Sequence, residues 1–146
     1  MKVYLDLCVY SRPFDDQTQP RVMIESLAVV AIMALINGKQ IQSINSFALD
    51  YENRKNPRPA NKSFIENLLT EAVEFVHHND RITQRALELE KRGIMGMDAL
   101  HVACAEDAGA DYFVTCDDVL VKKLGRVEDL KVRAVGLLEL ISREVF

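Results

Sequence analysis

Residues 97–118 read MDALHVACAEDAGADYFVTCDD, and three structural signals follow one another there almost without a spare residue. Apolar side chains recur at helical spacing from Met97 to Ala108, and Gly109 supplies the stop. Tyr112–Thr115 is then a short aromatic and β-branched run, the composition of a buried strand. Two acids, Asp117 and Asp118, stand at its exit. A helix that feeds directly into a strand is one half of an α/β unit, so the rest of the chain is read for the other halves.

Upstream, Val3–Leu5 makes a brief apolar strand that ends at Asp6, with a turn marked by Pro13, Asp15 and Asp16. A long helical pattern runs from Arg21 to Ile36 and ends at Asn37-Gly38; its apolar residues surround much of the helix, which predicts extensive burial. Gln40–Ile44 is a second short strand, and Asn45-Ser46 offers cap oxygens for a helix through about Asn53. The polar, basic stretch NRKNPRPANK, with two prolines, is a loop and no domain boundary. Ser63–His77 reads as an amphipathic helix with Phe64, Leu68 and Phe75 inward, and Asp80 caps the next, which runs to Arg92 before Gly93. Beyond Asp118 come a helical turn at Val119–Leu124, a strand at Lys131–Val135 and a closing helix at Leu137–Arg143.

Strands separated by helices imply right-handed crossovers and a parallel sheet covered on both faces. The expected fold is a single α/β domain over residues 1–146, a three-layer α/β/α sandwich with a central parallel sheet of four or five strands. A chain of 146 residues that is 49% apolar can bury a core without staples. Cys8, Cys104 and Cys116 are widely spaced and lack a CxxC pair, which signals neither a disulfide framework nor zinc. No apolar run approaches the roughly 20 residues of a membrane span, and the start lacks signal-peptide order, so a cytoplasmic protein without membrane association is expected. A net charge of -4 argues against general phosphate binding but leaves room for a local basic rim.

In an open parallel sheet, functional groups collect beyond the carboxyl ends of the strands. Asp6 and the Asp117-Asp118 pair lie at such ends, and Asp50 and Glu52 lie on the helix after the second strand. Asp98 opens a helix, where a carboxylate also meets the positive end of the dipole. Convergent carboxylates without matching bases repel one another, and a divalent cation removes the conflict. Oxygen ligands with no Cys or His cluster suit Mg²⁺ or Mn²⁺, and a metal so held fits phosphodiester hydrolysis. A phosphoacceptor receiver domain also gathers acids, but it wants an acidic pair after its first strand, where Asp6 stands alone.

These residues resemble the PIN domain family, in particular its single-domain VapC-type toxins, over almost the whole chain. Met97–Asp118 resembles the family's Asp-Ala-Leu helix, Gly turn, strand and Thr-x-Asp exit; VYLDLCV resembles the opening strand, and SFALDYEN the helix carrying the second acid. The resemblance implies an acidic quartet of Asp6, Glu52, Asp98 and Asp117, with Thr115 as the hydroxyl that positions water or a ligand. It further implies Mg²⁺- or Mn²⁺-dependent cleavage of an RNA substrate, and a cognate antitoxin that blocks the pocket. Leu7 and Cys8 depart from the pattern, standing where Thr and then Asn or Ser are usual. That loss of a polar helper motivates an alternative, a non-catalytic PIN-like module that binds RNA or protein.

Asp50 and Glu52 sit about 200° apart on a helix, so only one can face the pocket. The spacing from Ser46 favours Glu52; the Thr-x-Asp register favours Asp117, with Asp118 as a cap or water-mediated helper. His101 shares a helix face with Asp98, as a proton shuttle or supporting partner of that acid or as a buried, hydrogen-bonded histidine of the inner face. His77 and His78 are expected to close a helix, Glu25 and Glu106 to make surface ion pairs, and Cys8 and Cys116 to be small buried hydrophobes. Arg12, Lys122 and Lys123 follow site acids closely enough to meet substrate phosphates, as do Arg54, Lys55 and Arg58 in the loop. The buried-looking helices leave room for a homodimer.

Overall fold

The computed structural model describes residues 1–145 and contains one five-stranded sheet in the order β3-β2-β1-β4-β5, every neighbouring pair parallel. The strands are β1 Lys2–Leu5, β2 Gln42–Ser46, β3 Glu74–Val76, β4 Tyr112–Val114 and β5 Arg133–Val135. Between and after them come α1 Leu7–Ser11, a 3-10 turn at Arg12–Phe14, α2 Pro20–Asn37, α3 Phe47–Arg54, α4 Pro59–Leu69, α5 Asp80–Lys91, α6 Gly96–Asp107, α7 Asp118–Leu124 and α8 Leu137–Glu144. The expected α/β/α sandwich is the observed fold.

β1 is the central strand because its residues tolerate burial on every side: Val3, Tyr4 and Leu5 are fully enclosed. Val3 pairs with Ser43 on one flank and Tyr112 on the other. The chain leaves β1 toward β2 and β3 on one side and returns to β4 and β5 on the other. That reversal makes a topological switch point between β1 and β4, where loops diverge and a crevice opens above the strand ends.

The expected Ser63–His77 helix is corrected to two elements. α4 stops at Leu69, Thr70 Oγ1 donates to the Asn67 carbonyl at 2.6 Å, and the chain re-enters the sheet as β3. Ile44, Asn45 and Ser46 of β2 pair with Glu74, Phe75 and Val76, so parallel pairing with β2 at the sheet edge overrides the helical pattern. Phe64 and Phe75, expected inward, are exposed, and His77 and His78 follow a strand instead of closing a helix. α4 also starts earlier than expected, with Pro59 at its first position, where proline loses no hydrogen bond. Asn79, not Asp80, caps α5 by accepting from the Ile82 amide at 3.0 Å.

α2 also departs from expectation. Val22, Ala28, Val29, Ile32 and Ile36 face the core, but Met23, Ile24, Leu27 and Val30 are exposed, Leu27 by 64%. A helix apolar around its circumference carries no internal signal of which side is covered. By length and composition α2 is also long and apolar enough to cross a membrane, contrary to the reading of the sequence; here one side of it packs into the domain core. Glu25 is buried and Glu106 half-buried instead of both being surface partners: Glu25 pairs with Arg12 and Arg21, each at 3.3 Å, and Glu106 with Arg85 at 2.6 Å.

Two left-handed residues bracket key turns. Gly109 has φ 68°, and Lys39, just after α2, has φ 60°. A Cβ at Gly109 would touch nothing within 4 Å, so the cost of a side chain there is conformational alone. Urea denaturation is therefore expected to show Gly109→Ala destabilised by about 1 kcal/mol and Lys39→Gly stabilised by up to about 1 kcal/mol.

Candidate metal centre

The carboxyl end of β1 delivers Asp6, whose backbone amide donates to the Val114 carbonyl of β4 at 2.9 Å. Its side chain is held from two directions. Oδ1 accepts from the Leu7 amide at 2.8 Å, the N-cap bond of α1, and Oδ2 accepts from Thr115 Oγ1 at 2.9 Å. Thr115 Oγ1 in turn accepts from the Asp117 amide at 3.2 Å, so one hydroxyl ties the ends of β1 and β4 together.

Asp117 caps α7: its Oδ1 accepts from the Val119 and Leu120 amides at 2.9 and 3.1 Å. Asp118, expected as cap or water-mediated helper, is instead exposed and gripped by Arg21, with Nη1–Oδ2 at 2.7 Å and Nη2–Oδ1 at 2.9 Å. That ion pair holds its carboxyl below the usual carboxylate range, the hydrogen bonds from Arg21 being the leading cause.

On α3 the neighbouring acids separate. Asp50 binds Arg54 at 2.7 Å on the exposed side, whereas Glu52 Oε1 accepts from His101 Nε2 at 3.0 Å. Ser46, capping α3 through the Leu49 amide at 3.1 Å, sets the rotation of that helix. Ligand atoms of Asp6, Glu52 and His101 lie within 4.8 Å of one another.

Asp98, in the first turn of α6, completes the group. Its pKa is raised, first by burial and then by the fields of Asp6 and Asp117, with a smaller contribution from Glu52; His101 acts in the opposite sense. Asp98 thus feels the charges of Asp6, Asp117 and Glu52, while the ligand atoms that lie close together are those of Asp6, Glu52 and His101. The unmet negative charge and oxygen donors of these acids fit a hard divalent cation.

His101 is buried, as one reading of the sequence had it, but its carboxylate partner is Glu52 and not Asp98. Sequence reasoning missed Tyr4, whose hydroxyl lies 2.6 Å from His101 Nδ1 and 2.7 Å from Ser46 Oγ. The available signal was a hydroxylated aromatic inside an otherwise aliphatic strand. Cys8 is more than a hydrophobe: its sulfur lies 3.4 Å from Thr115 Oγ1, 3.6 Å from Asp6 Oδ2, and accepts from the Cys116 amide at 3.2 Å.

Of the expected basic rim, Lys122 and Lys123 stand exposed on α7. Arg12 is engaged elsewhere, with Asp15 at 2.9 Å and Glu25 at 3.3 Å. Arg54 is paired with Asp50, Lys55 lies over the Tyr51 ring at 4.3 Å, and Arg58 forms the N-cap position of α4.

The sequence profile of the PIN domain matches residues 4–126, which include all of the acids described above. The chain belongs to the PIN domain family. Among solved structures, a chain of VapBC2 from Rickettsia felis, crystallised bound to a DNA fragment from their promoter, is similar to this PIN domain with a TM-score of 0.58. The likeness covers 93% of this chain and 98% of that one at 19% identity, a level that speaks to fold. No curated protein matches the chain.

The direction of the Asp98 shift sets an expectation for the metal-free protein. The folded state holds that proton more tightly than the unfolded chain, so stability falls as pH rises through the window between the two pKa values, and ionised Asp98 is a net cost above it. At neutral pH with chelator present, Asp98→Asn is expected to raise the melting temperature, by about 1–3 °C for a domain of this size after solvent screening is allowed for. A lower melting temperature would mean that the carboxylate is not repelled there.

Proposed function

We propose that this PIN domain is a metal-dependent ribonuclease and the toxin of a type II toxin–antitoxin system. The supporting observation is the pair of carboxylates, Asp6 and Glu52, held close at the sheet's switch point, with Asp98 raised first by burial and then by the fields of Asp6 and Asp117. In this reading the four carboxylates hold Mg²⁺ or Mn²⁺. A divalent cation there supplies charge neutralisation for the phosphodiester and acidifies water.

The chain's own residues do the remaining work. Thr115 keeps Asp6 oriented by donating to Oδ2 while the α1 amide holds its Oδ1, and the α7 amides hold Oδ1 of Asp117. Lys122 and Lys123 on α7 meet substrate phosphates, which single-stranded RNA presents without needing a general basic surface. Arg12, paired with Asp15 and Glu25, would have to exchange those partners to reach a phosphate. The uncovered apolar face of α2 gives a protein partner its docking ground, an antitoxin chain or a second copy forming a homodimer. Three free cysteines agree with a reducing, cytoplasmic setting.

A second reading, a non-catalytic module binding RNA or protein, draws on Cys8: a weak thiol donor faces Asp6 Oδ2 at 3.6 Å where the family carries a stronger polar group. One experiment separates the two. Purified protein with Mn²⁺ is expected to cleave RNA and to stop on chelation, and Asp98→Asn is expected to lose about 100-fold or more, since even the hydrogen-bonding support of a ligand carries 10–100-fold. Cleavage that survives the substitution would expose a contaminating nuclease. A chain that binds RNA but takes up no Mn²⁺ would establish the module instead.

A further inference from the structure

The geometry points to Tyr4 and His101 as a buried positioning pair that holds Glu52 for the cation, an inference that rests on the metal-dependent reading above. Tyr4 and Ser46 are fully enclosed and His101 is 1% exposed, while the Glu52 side chain at the end of the chain of contacts reaches the crevice and is 34% exposed. Glu52 is thus the one site acid on a long, partly solvated side chain, and its rotamer needs outside support.

With a neutral imidazole the donors and acceptors admit one order that serves Glu52. The Leu49 amide donates to Ser46 Oγ, and the Ser46 hydroxyl is then free to donate to the Tyr4 hydroxyl at 2.7 Å. Tyr4 passes its own hydrogen to His101 Nδ1 at 2.6 Å, which leaves the imidazole hydrogen on Nε2, pointing at Glu52 Oε1 3.0 Å away. Run in reverse, the chain would set the Nε2 lone pair against a carboxylate oxygen at that same distance, a contact that repels. The sequence of hydroxyls therefore selects the histidine tautomer, and the tautomer orients Glu52 with its second oxygen toward the crevice. A hydrogen-bonding partner behind a ligand fixes that ligand's orientation in metal sites generally.

The test measures Mn²⁺ affinity by calorimetry for the wild-type chain, His101→Phe, His101→Gln and Tyr4→Phe, each also in a Glu52→Gln background. His101→Phe is expected to weaken binding about 10–100-fold. His101→Gln, whose amide can still donate, recovers part of the loss, and Tyr4→Phe falls between. In the Glu52→Gln background the His101→Phe effect disappears, because a positioning residue acts only through the residue it positions. An equal loss in both backgrounds assigns His101 a general packing role and overturns the inference, as does wild-type affinity in His101→Phe. Pulsed electron paramagnetic resonance of Mn²⁺ on the wild-type chain needs no variant to fold: a directly coordinated nitrogen would make His101 a ligand and overturn its positioning role. No Mn²⁺ uptake by the wild-type chain overturns the metal-dependent reading together with this one.

Discussion

Like charges held close at one edge of a parallel sheet are the constraint on which the rest of this molecule turns. The sheet's strand order sends the chain away from β1 in opposite directions, so Asp6 and Asp117 emerge on either side of the switch point and cannot avoid each other. α3 and α6 bring Glu52 and Asp98 to the same crevice. Nothing in packing alone rewards that convergence. It costs desolvation and repulsion, which is the reason the upward shift of Asp98 is more telling than the presence of any one acid.

The four acids meet that cost differently. Asp6 and Asp117 are secured by main-chain amides at helix starts, where backbone geometry leaves little freedom. Thr115 binds Asp6 and accepts from the Asp117 amide, so one hydroxyl links those two corners. Glu52 is secured by a side chain, His101, and that side chain by two hydroxyls. Order therefore flows from the sheet outward: β1 and β4 fix one half of the site directly, and the buried face of β1, through Tyr4, fixes the other half at one remove.

Most of this architecture is written in local signals. Gly109, the Tyr112–Thr115 run and the acids after it specify a helix, turn, strand and exit whose order alone implies a parallel sheet, and Ser46 marks where α3 begins. What local signals cannot carry is competition between distant partners. β3 was read as helix because three strand residues give too little period to outweigh the helical pattern before them; its pairing with β2 is the deciding contact. The same limit hid Arg21–Asp118, 97 residues apart, and with it the loss of Asp118 from the site. His101 lay in plain view, yet its partner came from α3 and not from its own helix, so i, i+3 reasoning pointed to the wrong carboxylate.

Asp98 remains distinct from the other three. Its carboxylate gains no lowering from a hydrogen bond; burial and its acidic neighbours all push it toward the protonated form, and His101 alone opposes them. Ionising a side chain in that position is disfavoured, and a nearby cation would relieve the cost. The hydrogen bonds of Asp117 and Glu52 fall on one oxygen of each carboxylate, whereas both oxygens of Asp6 are held, Oδ1 by the Leu7 amide and Oδ2 by Thr115. The site is therefore built as a frame of three restrained carboxylates around a fourth whose charge the fold leaves uncompensated, and the sign of that imbalance is what makes a divalent cation the fitting occupant.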